Sequence, residues 1–402
     1  MTKEIIGDSV LIAGFGREGQ SVLRYITSYL PNIIITIADK NPQDIKSTTV
    51  KIKSGENYLK NINKFDTVIK SPGIPRSTPE LSSAQYITTA TNIFFSECPG
   101  TIIGVTGTKG KSTTSSLIHH IFTIAKLDSR LVGNIGEPPL DNLDKATDKS
   151  LFVCELSSYQ LDDIKYSPHI AVILPISPEH LTYHKSFENY VNAKSHIVDQ
   201  QKDTDAVIFF MNNEYSSKIG SKSIGQHVPY PNNNPLLVGA WYQDNYIYIK
   251  TKDSHNIPLI KKEEIPIIGK ANIENCIAAV TVALLIDINL NDIKEAIKSF
   301  KPLEHRLEPI GTHRGIKFYN DSLATTPVAT IHALEALGDQ VATLIAGGYD
   351  RGLDFEELGK AIADSKIKNI ILFPDTGSLI EEAIYNHIHR NVSIVHVNSM
   401  QD

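Results

Sequence analysis

Runs of apolar residues that alternate with helical patterns predict parallel α/β structure in the first part of the chain. Residues 10–13 form an apolar run that is followed by a glycine turn and a helical pattern over residues 21–30. Residues 33–38 and 67–69 have the same strand-like character. Strands and helices in this order are typical of βαβ units. Residues 1–97 are therefore predicted to form a Rossmann-like domain.

The same pattern begins again at residue 101 and predicts a larger, central domain over residues 98–302. Continuous apolar runs suit parallel strands that are covered on both faces; they occur at residues 101–105, 151–154 and 170–176. Helical patterns occur at residues 112–127, 272–285 and 290–300. The pattern changes between residues 206 and 268, where residues 239–250 predict an antiparallel hairpin with an Asp-Asn turn.

Pro302 marks a predicted linker to a third domain, residues 303–402. Four further strand-like runs, separated by helical patterns, are found at residues 317–319, 342–346, 370–373 and 392–397. The fold class expected for the whole chain is α/β, with a mostly parallel sheet in the central domain.

Composition argues against several kinds of partner and location. The chain has 402 residues and a net charge of −6, so no global basic field attracts nucleic acid or an anionic membrane. Its three cysteines have neither disulfide-framework nor zinc-type spacing, which fits a reducing compartment. No apolar stretch has the length of a membrane span or a signal peptide, so a cytoplasmic location is expected.

A glycine turn after the first predicted strand predicts a nucleotide site. Gly14, Gly16 and Gly19 lie where the strand gives way to a helix, and Asp39 ends the next strand. Such glycines permit a diphosphate to approach the helix N-terminus, while the acid can contact a ribose hydroxyl. The motif alone suggests NAD or another nucleotide; the alternative is a turn that only packs strand on helix.

The segment GVTGTKGKST at residues 104–113 predicts an ATP-binding phosphate loop. It stands between an apolar strand and a helix, where backbone N–H groups and the helix dipole bind polyphosphate. Lys111 would reach the β- and γ-phosphates, and Ser112 would hold Mg²⁺. The strict Walker spacing needs glycine at Val105, so this is a variant loop. An idle glycine turn is the alternative.

Two predicted strands of the central domain lead into residues that can serve a phosphate site. Glu155 closes the run 151–154, and a buried strand-end carboxylate is costly unless it meets a cation or several donors. It is a candidate Mg²⁺ ligand, with a structural pair to lysine as the alternative. His180 follows the run 170–176, at an edge where α/β sheets build sites; an isolated surface histidine is the alternative.

The remaining candidates in this region are less specific. His184 lies four residues after His180, but no third ligand or H-E-x-x-H glutamate is evident, so zinc is not predicted. Lys194 lies in a predicted helix over residues 187–198, where most lysines are simply solvated. The residues alone do not select it.

Together these segments resemble the Mur ligase family, ATP-dependent enzymes that join amino acids to nucleotide-linked carboxylates. The matching motifs follow the family's order along nearly the whole chain: SPGI at 71–74, TGTKGKST at 106–113, GNIG at 133–136, ELSSYQL at 155–161, PEHL at 178–181, Ala193-Lys194, Asn272 with Asn275, His305-Arg306, NDS with AT at 320–325, and GGYDR at 347–351. The ELSSYQL segment and the early GFGREG turn favour the D-glutamate-adding members.

The resemblance implies a role for each motif. The UDP-linked substrate would be bound by Gly14, Phe15, Gly16, Arg17, Asp39, Ser71, Asn134 and Ser157. ATP would be bound by Gly107, Thr108, Lys109, Gly110, Lys111, Ser112, Thr113, Asn272, Arg306 and Asp321. Two Mg²⁺ ions would be held by Ser112, Glu155, His180 and Lys194, with Lys194 as a carbamate. The catalytic set would be Lys111, Glu155, His180 and Lys194, and the incoming amino acid would meet Arg351 and Thr325.

The resemblance also implies an activity, namely the ATP-dependent addition of D-glutamate to UDP-N-acetylmuramoyl-L-alanine in cytoplasmic peptidoglycan precursor synthesis. The expected partners are these small molecules, without nucleic acid or membrane, and a monomer is expected. A sister ligase for another amino acid, an NAD-dependent oxidoreductase and a non-catalytic nucleotide-binding protein are the alternatives.

Two departures from the family pattern affect the amino-acid pocket. Leu323 stands where members often have lysine after Asn-Asp-Ser, which leaves Arg351 as the candidate for a D-glutamate carboxylate. The sequence ends at Asp402, just after a predicted strand, whereas the family usually continues with a Ser-Pro-Ala-containing strand and a helix. Either a truncated or a different C-terminus is expected.

Overall fold

The computed structural model describes residues 3–45, 50–234, 237–254, 256–388 and 391–401. The chain divides into two compact units. The first contains the residues up to Glu264 together with Glu274–Lys298, and the second contains Ile265–Ile273 and the residues from Ser299 onwards. In the described part of the chain, no helix combines the length and the apolar character that a membrane crossing requires.

A parallel five-stranded sheet begins the first unit. Its strands are β1 (Ser9–Ala13), β2 (Ile34–Asp39), β3 (Lys51–Ser54), β4 (Thr67–Lys70) and β5 (Ile87–Thr88), and its helices are α1 (Arg17–Tyr29) and α2 (Ala90–Glu97). The strand order is β3-β2-β1-β4-β5. The predicted strands at 10–13, 33–38 and 67–69 are confirmed. The sequence missed β3 and β5, because both are short and β3 is polar and exposed.

A six-stranded parallel sheet forms the middle of the first unit. Its strands are β6 (Thr101–Thr106), β7 (Ser129–Gly133), β8 (Leu151–Glu155), β9 (Ile170–Ile173), β10 (Ala206–Phe210) and β11 (Gln226–Tyr230). Its helices are α3 (Lys111–Ile124), α4 (Ser158–Leu161), α5 (Leu181–His184), α6 (Phe187–Ser195) and α7 (Glu214–Gly220). The order β11-β10-β9-β6-β8-β7 places β6 among the central strands, where Val105 is fully buried.

The change of pattern predicted at residue 206 is wrong in position. Strands β10 and β11 continue the parallel sheet, with Val207 and Ile208 fully buried. The antiparallel region begins only at residue 239, with β12 (Gly239–Gln243), β13 (Tyr246–Lys250) and β14 (Ile257–Lys261). Asp244 and Asn245 both have positive φ, as the tight two-residue turn of a hairpin requires. The predicted hairpin is therefore confirmed, and α8 (Lys270–Leu285) and α9 (Leu290–Ser299) follow it.

The second unit combines a hairpin with a three-stranded parallel sheet. The hairpin is β15 (Glu308–His313) with β16 (Ile316–Asn320), and the sheet is β17 (Thr343–Gly347), β18 (Asn369–Phe373) and β19 (Ser393–His396) in that order. The helices are α10 (Pro327–Leu337), α11 (Glu356–Asp364) and α12 (Gly377–Tyr385). All four predicted strands exist, but β16 pairs with a strand that the sequence did not predict, because β15 contains Pro309 and Gly311 and lacks a clear apolar alternation.

Candidate active site

The loop between β6 and α3 has a backbone that only glycine adopts without strain at two positions. Gly107 has φ 150° and Gly110, which precedes the first residue of α3, has φ 86°. A Cβ at residue 107 would lie 2.5 Å from Cβ of Leu174, and one at residue 110 would lie 2.3 Å from Oδ1 of Asn275. The loop therefore approaches its neighbours as closely as a glycine-rich phosphate loop must.

Thr108 anchors this loop to the rest of the sheet. Its N–H donates to the Pro175 carbonyl at 2.9 Å, and its hydroxyl donates to the Ser177 carbonyl at 3.0 Å. The hydroxyl also lies 3.0 Å from the Tyr190 hydroxyl. These contacts turn the Thr108 side chain towards the protein, so its contribution to the loop is to fix the backbone.

Two lysines donate to the same loop carbonyl. Lys111 Nζ donates to the Gly107 and Thr108 carbonyls at 3.1 and 2.9 Å. Lys194 Nζ, on α6, donates to the Gly107 carbonyl at 2.9 Å and to Thr106 Oγ1 at 3.2 Å. Lys109, by contrast, is exposed and pairs with Glu179. The predicted Lys111 and Lys194 therefore meet at the loop, although they are far apart in sequence.

Lys194 is completely buried, with 0% of its surface exposed. Burial, followed by the nearby charge of Lys111, holds the pKa of Lys194 well below its ordinary value. Burial therefore favours the neutral amine over the ammonium. A neutral amine has the free electron pair that reaction with CO₂ requires, and an ammonium does not.

Glu155 ends β8, beside Val105 of the neighbouring β6. Only 1% of its surface is exposed. Asn134 Nδ2 donates to Oε1 at 2.8 Å, whereas Oε2 is buried and has no hydrogen-bond partner among the residues that the structure describes. A buried carboxylate oxygen without a donor is costly unless a cation completes it. The acid and the Ser112 hydroxyl are oxygen ligands of the kind that Mg²⁺ prefers, so these residues fit the ion.

His180 lies just before α5 with left-handed backbone, φ 56°, and its side chain is exposed at the edge of an aromatic cluster. Its ring centroid is 5.0 Å from Tyr159 and 6.2 Å from Tyr190. Partial burial, with contributions from the nearby lysines, lowers the pKa of His180 despite the opposing charge of Glu179. His184 is buried, and its Nε2 lies 3.0 Å from the Ser158 hydroxyl, which gives it a packing role.

The first glycine turn, its partner acid and Ser71 are brought together as predicted. The Phe15 N–H donates to Asp39 Oδ2 at 2.6 Å. A Cβ on Gly14 would lie 2.6 Å from Cβ of Ser71, so the two loops touch at the carboxyl ends of β1 and β4. Gly16 caps α1, and Arg17 donates to the Gly136 carbonyl, in the loop after β7, at 2.6 Å.

The ELSSYQL segment contains the last residue of β8 and the whole of α4, and it contacts the first helix. Ser157 and Gln160 form a capping box, in which the Gln160 N–H donates to the Ser157 hydroxyl and the Ser157 N–H donates to Gln160 Oε1. Gln160 Nε2 donates to Glu18 Oε1 at 2.8 Å. Ser157 is therefore a helix cap in this structure, and the Glu18 contact is one that sequence reasoning missed.

Tyr190 was also missed, although a signal for it existed. It stands four residues before Lys194 on the same helical face, and Lys194 Nζ lies 4.8 Å from its ring centroid. The pKa of Tyr190 is raised by burial. The phenol therefore stays neutral and supports both the loop and the lysine.

Five of the predicted residues belong to the second unit. Asp321 accepts the Leu307 N–H at 2.9 Å, and burial raises its pKa. Asn272 Nδ2 donates to the Ile268 carbonyl at 2.7 Å. Arg306 is half-buried, and Thr325 and Arg351 are exposed. Their contribution to a shared site with the phosphate loop stays a prediction.

Three family models match the chain in sequence order. They are described as Mur ligase MurD-like, N-terminal domain, at residues 8–91, Mur ligase middle domain at residues 105–283, and Mur ligase, glutamate ligase domain, at residues 305–402.

Curated relatives match over nearly the whole chain. UDP-N-acetylmuramoylalanine--D-glutamate ligase of Ruminiclostridium cellulolyticum is 33% identical over 417 residues, which covers 100% of this chain and 88% of the relative. The protein of the same name from Clostridioides difficile is 32% identical and covers 98% of this chain and 89% of the relative.

Solved structures show the same fold at lower identity. UDP-N-acetylmuramate-alanine ligase MurC of Thermotoga maritima superposes with a TM-score of 0.61 at 17% identity, covering 97% of this chain and 90% of that one. A MurF ligase of Thermotoga maritima in complex with ADP has a TM-score of 0.56 at 15% identity, covering 99% and 93%.

Proposed function

Since this chain belongs to the Mur ligase family, we propose that it adds D-glutamate to UDP-N-acetylmuramoyl-L-alanine at the expense of ATP, in peptidoglycan precursor synthesis. The names of relatives that cover almost all of the chain support this choice of substrates. The structural observation that carries the proposal is the meeting of Lys111 and Lys194 at the Gly107 carbonyl, beside the strand that ends in Glu155.

The first chemical step would join two anions. A substrate carboxylate oxygen attacks the γ-phosphorus of ATP, the bond from that phosphorus to the bridging oxygen breaks, and ADP leaves. The product is an acyl phosphate. Lys111 lies on the phosphate loop, where its charge would offset the repulsion between the reactants and the charge of the transferred phosphoryl group.

The second step would form the amide. The amine of D-glutamate attacks the acyl carbon, the resulting tetrahedral intermediate expels phosphate, and the amine loses a proton. Exposed Arg351, with Thr325, is our candidate for binding the D-glutamate carboxylates, because exposed Leu323 cannot pair with an anion.

We assign two Mg²⁺ ions to the residues around the phosphate loop. Ser112 and Glu155 would hold the first ion, and His180 with a carbamylated Lys194 would hold the second. Bound Mg²⁺ would neutralise phosphate charge and orient the reacting oxygens. The unpartnered Oε2 of Glu155 supports the first position, and the complete burial of the Lys194 amine, which lowers its pKa, supports carbamate formation.

The remaining assignments follow the family order. The turn at Gly14–Gly16 with Asp39 and Ser71 would bind the UDP part rather than NAD, and Asn134 would approach the muramoyl part. Asn272, Arg306 and Asp321 would contact ATP. We further propose domain limits at residues 1–97, 98–302 and 303–402, a monomer, and a cytoplasmic location.

A coupled assay of phosphate release tests the function directly. The protein is mixed with ATP, Mg²⁺ and UDP-N-acetylmuramoyl-L-alanine, and a panel of amino acids is added one at a time. Release that depends on both the UDP-substrate and D-glutamate is expected. Release with a different amino acid would indicate a sister ligase, and release that ignores the UDP-substrate would refute the proposal.

A further inference from the structure

The loop at residues 71–74 is held by side chains that bind its backbone carbonyls. Lys70, the last residue of β4, donates through Nζ to the Ile74 carbonyl at 2.7 Å and lies 3.4 Å from the Ser71 carbonyl. The same Nζ pairs with Asp163 Oδ2 at 2.7 Å. Asp163 belongs to the central domain, so one buried ammonium joins the loop to a different domain.

A second contact reaches the same loop from the central domain. The Tyr183 hydroxyl, on α5, donates to the Pro72 carbonyl at 3.2 Å. The Tyr183 ring packs edge-on against Tyr159, with centroids 4.4 Å apart. Three carbonyls of one short loop are therefore contacted by two side chains, and both side chains are tied to the central domain.

Stability alone is a weak reason for Lys70 to be there. Only 1% of its surface is exposed, and a buried ion pair is often no more stabilising than apolar residues of similar volume. What such a pair does provide is one defined position for the groups that it binds. Here those groups are the carbonyls on either side of Pro72-Gly73.

The position of this loop matters for the turn beside it. Ser71 lies against Gly14, and the Ser71 N–H donates to the Ala13 carbonyl at 2.8 Å. We propose that Lys70 and Tyr183 are positioning residues, which fix the 71–74 loop against the first glycine turn so that both can bind the UDP-linked substrate. This inference rests on the proposed function.

The test compares three variants in the ligation assay. Tyr183→Phe removes one hydroxyl and keeps the ring, and Lys70→Met removes the ammonium and keeps most of the volume. Tyr86→Phe is the matched control, because the Tyr86 hydroxyl also joins the two domains, through Glu4 and Lys165, but does not contact the loop.

The Michaelis constants for the UDP-substrate and for ATP are measured separately. We expect Tyr183→Phe to raise KM for the UDP-substrate about 3- to 10-fold, as the loss of one hydrogen bond predicts, and Lys70→Met to raise it by about 10-fold or more. KM for ATP should stay within about two-fold, and Tyr86→Phe should change neither constant. A purely structural role would lower the active fraction, and so kcat, without this selectivity.

The outcomes separate the inference from the function. If the wild type ligates but Tyr183→Phe keeps the wild-type KM for the UDP-substrate, the inference is wrong and the function stands. The inference is also wrong if Tyr183→Phe raises KM for ATP as much as it raises KM for the UDP-substrate. If Lys70→Met does not fold, the KM values of Tyr183→Phe and Tyr86→Phe for the UDP-substrate still test the inference. A wild type that neither ligates nor binds the UDP-substrate refutes the function and the inference together.

Discussion

Lys194 combines complete burial with a proposed anionic role, which makes its replacement informative. Lys194→Ala removes the aliphatic stem from a site with 0% exposure. At about 0.8 kcal/mol for each buried methylene, the variant should lose roughly 2–3 kcal/mol of unfolding free energy. Part of this loss is offset, because the variant no longer buries an amine away from water. Losing one well-placed charged group should slow ligation by about 100- to 1000-fold.

A cavity left by alanine offers a way to restore the missing charge. Formate, acetate or propionate should enter the space and supply carboxylate oxygens where the carbamate oxygens would be, so turnover of Lys194→Ala should rise with acid concentration. Lys194→Met is the matched control, because its side chain fills most of the same space without a nitrogen. It should lose as much activity and gain nothing from the acids.

Phosphate release measured against acid concentration reads out the rescue, and an NMR spectrum in carbon-13-labelled bicarbonate detects the carbamate on the wild type. If Lys194→Ala ligates at the wild-type rate, Lys194 has no role in the reaction. Equal rescue of the alanine and methionine variants would show that the acids act elsewhere. If the acids do not rescue Lys194→Ala and no carbamate signal appears, the assignment of Lys194 as an anionic ligand is refuted.

Three further outcomes are expected. Lys111→Ala should reduce D-glutamate-dependent phosphate release by about 100- to 1000-fold, and near-normal turnover would refute the ATP assignment. In denaturant melts, Gly110→Ala should lower the unfolding free energy by about 1–2 kcal/mol or more, because φ is 86° and the new Cβ would lie 2.3 Å from Asn275 Oδ1. The control Gly16→Ala places its Cβ in open space and should lower it by less than about 1 kcal/mol. Burial raises the pKa of Glu18 above 4.5, so its ionisation costs stability above that pH. Glu18→Gln should therefore raise Tm at neutral pH and lose this advantage as the pH falls below 4.5, whereas a pH-independent difference would contradict the reasoning.

Local chemistry explains what sequence reasoning predicted well. The phosphate loop needs glycines with a positive φ just before a helix, and Gly107 and Gly110, three positions apart, meet that requirement within one short segment of the sequence. Continuous apolar runs likewise indicated the buried parallel strands around β6. Glu155 was recognisable because an acid that closes an apolar run has an evident cost.

Contacts between residues far apart in the chain could not be predicted from the sequence. Lys194 meets the Gly107 carbonyl across 87 positions, and Tyr183 meets Pro72 across 111. Nothing in a helix with mixed polar and apolar residues distinguishes a buried lysine from a solvated one. For the same reason the sequence did not single out Lys70.

By itself, the sequence determined the glycine turns, the parallel strands and the order of the three domains, because each depends on neighbouring residues and on periodicity. Tertiary structure alone decided which amine has a lowered pKa, which carboxylate oxygen lacks a donor and which side chains hold the carbonyls of the 71–74 loop. Those properties depend on desolvation and on hydrogen-bond partners, and only packing brings the partners together.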